Sequence, residues 1–318
     1  MSATASKSKL SGLVKRGLVR GPDRVFLYGV EGIGKTTFAV NAPKPLFMAK
    51  EEQLEGFDVP RLWPESYSEV LDQLDLVATE AAKEGHQSFV IDLVNYVEPM
   101  LVQDVLESEK WSMDDFGEYG RGYPLLVERW ASVLARFDRI RESGLIIVLT
   151  AHAEVKNFTA PGEESFQRYQ PAMSKQGAAK LKQWCDTVMF ARHETVLHKK
   201  KGERSARTLS TGQRICHTTW DAGWDAKNRC GLPETILLDW DEYTRLRAND
   251  GAELVASLKR QVSALLEGVE EAMGEEKRKA AEAHVAKAGE DRVKLTHAID
   301  WMRTKIEEAQ TEKEDADG

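Results

Sequence analysis

The run Gly29-Val30-Glu31-Gly32-Ile33-Gly34-Lys35-Thr36 constrains this chain more than any other stretch, because it satisfies G-x-x-x-x-G-K-[ST]. Glycines at this spacing let successive backbone N–H groups curl around an anionic phosphate. Lys35 then supplies a point charge to the β- and γ-phosphates, and the Thr36 hydroxyl is placed to ligate Mg²⁺. The loop follows the strand-like run RVFLYG (24–29) and precedes a helix-like Thr37-Phe38-Ala39-Val40, the setting the motif requires. The candidate ATP-binding residues are therefore Gly29, Val30, Glu31, Gly32, Ile33, Gly34, Lys35, Thr36 and Thr37. Thr37 breaks the pattern G-x-G-x-x-G, which disfavours a dinucleotide fold.

The rest of the first 190 residues reads as an α/β chain. Near-continuous apolar blocks recur at PLFMA (45–49), SFVIDL (88–93), LIIVLT (145–150) and DTVMFA (186–191), as expected for parallel strands covered on both faces. Between them, Val70, Leu71, Leu74 and Val77 keep helical spacing over 66–83. Leu126, Trp130, Val133, Leu134, Phe137 and Ile140 do the same over 123–141. Alternation of this kind predicts a mainly parallel sheet flanked by helices. Further strands are expected between about 204 and 240, in RTLST, RICHTTW and TILLDW. Beyond Asp241–Gly251 the chain reads as charged helices at about 251–271, 275–288 and 291–309, with one apolar stripe through Leu254, Leu258, Val262, Leu265 and Val269. The organisation expected is a basic segment (1–22), an ATPase core (23–245), a helical module (246–310) and an acidic, disordered tail (311–318).

Composition narrows the setting. Across 318 residues, 42% hydrophobic side chains suffice for a core, and no apolar run is long enough to span a bilayer. Cys185, Cys216 and Cys230 match neither a disulfide framework nor a zinc site, so a reducing cytoplasmic compartment is expected. The net charge is −8, yet residues 1–24 hold six cations against Asp23 alone, and 307–317 hold six carboxylates against Lys313. Ends so opposed in sign suit charged partners, each other, or simple solvation.

Three further elements point to chemistry. Phe89-Val90-Ile91-Asp92 is an apolar strand ending in a carboxylate, which would hold Mg²⁺ through water. Glu51 is the first candidate for general base and Glu52 the second, since Lys50-Glu51-Glu52 follows the second strand at the edge where phosphates should sit. Thr150 and His152 end the fourth apolar strand on that same edge, either as γ-phosphate sensors or as plain strand-end polar residues. The segment 153–175 is long for a connection and mixes Lys156, Phe158, Phe166, Arg168, Tyr169 and Lys175 with Glu154, Glu163 and Glu164. Interleaved cations and rings suit single-stranded DNA; a solvated loop is the alternative.

Residues 226–234 read Ala-Lys-Asn-Arg-Cys-Gly-Leu-Pro-Glu, and the Lys-Asn-Arg-x-Gly core is similar to the motif of the RadA branch of RecA-like ATPases. With the phosphate loop, the Asp92 strand and the Thr-Ala-His strand end, the chain resembles the phage nucleotide-binding AAA family, which includes RecA-core single-strand annealing proteins. The resemblance covers about residues 20–240. It implies a RecA-like ATPase core that binds ATP and Mg²⁺, engages single-stranded DNA in annealing or recombination, and assembles as a homo-oligomeric ring or filament in the host cytoplasm. A single-stranded-DNA-binding protein is a possible partner. By the same resemblance, Lys35, Thr36 and Asp92 match phosphate and metal ligands, and Glu51 falls near the family's acidic residue, though without the glycine that commonly follows it. Lys227 and Arg229 match cations that reach a neighbouring protomer's ATP; a basic loop answered by solvent or its own acids is the alternative.

Overall fold

The computed structural model describes residues 21–158, 165–198, 207–248, 252–286, 294–295, 298–299, 301–306 and 309. The basic residues up to Arg20, Glu163, Glu164 and the tail 311–318 lie outside them.

Strand β1 (Arg24–Gly29) leads through the glycine loop into helix α1 (Lys35–Val40). Next come β2 (Pro45–Met48), a 3₁₀ turn (Glu51–Leu54), β3 (Arg61–Leu62) and α2 (Tyr67–Leu76), which a π-helical turn prolongs to Ala81. Strand β4 (Ser88–Ile91) is followed by α3 (Val94–Glu109), α4 (Met113–Gly117) and α5 (Gly122–Glu142). Then come β5 (Ile146–Phe158), β6 (Phe166–Pro171), α6 (Lys175–Trp184), β7 (Thr187–His198), β8 (Arg207–His217), β9 (Lys227–Asn228), β10 (Thr235–Leu237) and α7 (Trp240–Ala248). Two charged helices follow, α8 (Ala252–Met273) and α9 (Glu275–Ala286).

One sheet runs in the order β3-β2-β4-β5-β1-β7-β8-β10, with β6 added to β5 and β9 to β7. The pairs linking β3, β2, β4, β5, β1 and β7 are parallel, while β8 and β10 join antiparallel. The apolar blocks become strands because both faces are covered. On one face Val70, Leu74, Val97, Leu101, Trp130 and Phe137, from α2, α3 and α5, pack against Phe26, Phe89 and Ile147. On the other, Phe38 of α1 meets Trp240 and Tyr243 of α7, with ring centroids 5.1 and 6.2 Å apart. The boundary expected at residue 245 therefore falls inside a helix anchored to the core. Leu258, Val262, Val269, Ala281, Leu295, Ile299 and Met302 form a separate apolar cluster in the C-terminal helices.

The described residues of the segment expected as a loop over 153–175 form two paired strands that lead to the start of a helix. Strand β5 runs on past the sheet edge to Phe158 and pairs antiparallel with β6, from Ala153↔Pro171 to Phe158↔Phe166. Strand β7 likewise overshoots to His198 and pairs with β8. Two ribbons thus project beyond the edge at which β1 ends.

Candidate nucleotide site

Gly29 closes β1 between His152 of β5 and Ala191 of β7. A Cβ there would lie 2.4 Å from the Ala191 carbonyl oxygen, so β1 and β7 pair this closely because residue 29 is glycine. Gly32 and Gly34 take φ values of 70° and 108°, the left-handed region that glycine enters freely. Ile33, fully buried between them, anchors the loop to the α1 face of the core, while Val30 is half-buried and Glu31 and Thr37 are exposed. Lys35 opens α1 and is 5% exposed. Its Nζ donates to the carbonyls of Gly29 (3.1 Å) and Val30 (2.9 Å). Burial pushes its pKa down, and the charges of Asp92 and Glu31 act against that.

Asp92 follows the last residue of β4 and is fully buried. Its Oδ2 accepts a hydrogen bond from Thr36 Oγ1 at 2.7 Å, and its Oδ1 accepts from the Thr150 hydroxyl, which also reaches the Ile91 carbonyl at 3.2 Å. This bridge exists because β5 lies between β1 and β4 in the sheet. His152 sits level with Gly29, and its backbone N–H donates to Asn95 Oδ1 at 2.9 Å. Its Nδ1 is buried and has no hydrogen-bond partner. Burial, then Lys35, hold the imidazole below its usual pKa, so it is neutral at pH 7.

These groups fit a magnesium–nucleotide complex. The loop offers glycine backbone and a lysine to phosphates, Thr36 and Asp92 offer adjacent oxygens to a hard cation, and His152 Nδ1 awaits a partner. Glu51 stands apart from this group. It is exposed in the 3₁₀ turn and paired with Arg61 at 3.2 Å, and Glu52 beside it is also exposed.

The residues expected to face DNA separate into two sets. Arg168 is 7% exposed, its guanidinium is ion-paired with Asp225, and it lies between the rings of Phe158 (5.6 Å) and Trp220 (5.2 Å). Its guanidinium is answered by Asp225, while its Nε is buried without a hydrogen-bond partner. Tyr169 stacks inward on Phe190 at 4.7 Å. Phe158 and Phe166 pack together on the ribbon at 5.4 Å, with Phe158 39% exposed. Lys156, paired with Glu154 at 2.7 Å, and the exposed Lys175 line a shallow groove with Tyr123, Ser174 and Gln176. Ala172 forms one border of that groove; its N–H donates to the His152 carbonyl at 2.8 Å, and its carbonyl accepts from Asn95 Nδ2.

Lys227 and Arg229 lie at the opposite edge of the sheet, where β9 pairs with the start of β7. Lys227 Nζ donates to the carbonyls of Lys182, Gln183 and Cys185 at 2.9, 2.9 and 2.6 Å. It thereby caps the C-terminus of α6 within its own chain. Arg229 is exposed.

Asn95 and Arg214 escaped the sequence reading. Asn95 had a signal, three positions after Asp92, whereas Arg214 reaches the glycine loop from β8 and carries no local signature. A family model described as an AAA domain matches residues 22–230, and no curated protein matches the chain.

Proposed function

The chain belongs to the AAA-domain family of nucleotide-binding P-loop ATPases, and from that premise we propose that it hydrolyses Mg·ATP and couples hydrolysis to single-stranded DNA during strand annealing or recombination in a phage-type system. The observation that carries the reading is the hydrogen-bonded chain Thr36–Asp92–Thr150 beside Lys35 at the glycine loop. Thr36 and Asp92 would hold Mg²⁺, which when bound neutralises charge developing on the phosphates. Lys35 leaves the loop carbonyls for phosphate oxygens, Thr150 fixes the rotamer of Asp92, and His152 Nδ1 supplies a hydrogen-bonding group at the γ-phosphate end.

DNA is assigned to the groove of Lys156, Lys175 and Tyr123, because Ala172 at its border is bonded to both His152 and Asn95. A strand seated there would bear on the phosphate site through two hydrogen bonds. Trp220, 61% exposed, adds a ring on which a base can stack. Arg229 acts on a neighbour's ATP. In its own chain it follows the bridge to Asp186, five strand positions from Ala191 beside the loop, or about 16 Å. Head-to-tail stacking brings that edge onto the next protomer's cradle, and such contacts build rings or filaments.

The test is ATP turnover and fluorescence anisotropy with labelled single-stranded DNA, at moderate salt, with and without ATP. Stimulation of hydrolysis by DNA is expected; absence of DNA binding in both nucleotide states refutes the coupling. One observation favours a second reading: Glu51, the expected base, is engaged by Arg61. That suits a nucleotide-dependent assembly module with slow turnover, in which ATP changes the oligomer size measured by light scattering while phosphate release stays negligible.

A further inference from the structure

The space that a side chain on Gly34 would fill is taken by the guanidinium of Arg214, whose Nη1 lies 2.9 Å from the position of a Cβ there. Gly34 has φ 108°, and Leu238 Cδ2, at 3.8 Å, is the other side chain at that spot. The neighbouring Gly32 differs, since a Cβ added to it would meet nothing within 4 Å. Arg214 is held in place from behind. It sits on β8 opposite His193, just past the pair Ala191↔Cys216, and its carbonyl accepts from the Leu238 N–H at 2.9 Å. The side chain is exposed, and none of the ion pairs among the described residues includes it.

An exposed guanidinium with no ion pair among the described residues, set against the glycine whose missing side chain lets phosphate approach, is a cation suited to an anion. The loop's other cation is turned inward, with Lys35 bonded to two carbonyls and facing the charges of Asp92 and Glu31. One lysine and one divalent ion leave ATP with excess negative charge and only balance that of ADP, and a planar guanidinium can take two phosphate oxygens of either nucleotide at once. We infer that Arg214 is a phosphate-binding residue acting within its own chain, on the phosphates common to ADP and ATP. The backbone that Arg214 covers belongs to the part of the loop that cradles the α- and β-phosphates, whereas Lys35 serves the β- and γ-phosphates. This inference rests on the nucleotide reading of the glycine loop. It differs from the role given to Arg229, which needs a neighbour.

The experiment measures Kd for Mg·ADP and Mg·ATP by isothermal titration calorimetry on the full chain, for wild type, R214A and R214K, at two protein concentrations. Loss of a charge-assisted contact predicts that R214A binds both nucleotides about tenfold more weakly, equally at both concentrations, and that R214K recovers part of the loss. Wild-type affinity of R214A for both nucleotides overturns the inference and leaves the nucleotide reading standing. A loss confined to ATP, or one that appears at the higher concentration alone, overturns it too. A wild-type chain that binds neither nucleotide removes the nucleotide reading, and the inference with it.

Discussion

Replacing Thr150 with valine tests whether Asp92 is held by its neighbours or merely buried near them. Both residues are fully buried, and the Thr150 hydroxyl donates to Asp92 Oδ1 and to the Ile91 carbonyl. Valine matches threonine in shape, so no cavity forms and the change isolates the hydroxyl. A hydrogen bond to a charged group contributes about 1.5–3 kcal/mol, and the carboxylate left behind has no water to turn to. Serine does the converse: it keeps the donor and removes one buried methyl, at about 1 kcal/mol. Thr150→Val should therefore be the more damaging change, lowering the urea midpoint of the nucleotide-free chain by about 1 M at unchanged m value. With its rotamer freed, Asp92 should also need more Mg²⁺ to reach half-maximal ATP turnover. If the valine variant is as stable as wild type, or more stable than Thr150→Ser, Asp92 is not held in the way described and the reasoning fails.

Three other predictions follow from the same geometry. Lys227→Met should cost about 1–2 kcal/mol in urea unfolding, because three carbonyls at the end of α6 lose their cation. Full stability with lost hydrolysis would instead return Lys227 to a role at a neighbour's ATP. Asn95→Ala should reduce DNA stimulation of turnover more than the DNA-free rate, since it removes one of the two links from His152 to Ala172 and leaves the direct bond from the Ala172 N–H to the His152 carbonyl; equal losses in both rates would count against coupling through the Asn95 link. His217 accepts from Arg192 Nε at 3.1 Å and stacks on Trp224 at 4.0 Å, and burial, then Arg192, lower its pKa from 6.5 to about 4. The unfolded chain takes up that proton near pH 6.5 while the folded chain resists until about 4, so stability falls as pH drops through this window. His217→Gln should flatten that limb of the stability–pH curve, and an unchanged slope between wild type and variant would refute the assignment.

How far the sequence reaches depends on whether a residue's partner is near it in the chain. The parallel strands are legible because burial on both faces demands unbroken apolar blocks, and the glycine loop because its chemistry is contained in eight consecutive residues. Helix α3 is harder to read, with Pro99 inside it, and the β5–β6 ribbon passes for a loop because the outer part of β5 is exposed and carries no unbroken apolar block. The site divides in the same way. Lys35 and Thr36 follow from a motif, but Thr150 and Asp92 meet across 58 positions and only because β5 is inserted between β1 and β4. Arg168 and Lys227 show the cost of reading charge without topology. Each looks like a cation for a ligand, and each has its charge answered within the fold, by Asp225 and by the end of α6. Arg214 is the converse case, an unremarkable residue of β8 that the pairing of β7 with both β1 and β8 brings to the glycine loop. Cations that a sequence motif nominates for phosphate or DNA therefore have to be sorted by what the fold leaves unpaired, and in this chain that criterion passes over Arg168 and Lys227 and selects Arg214.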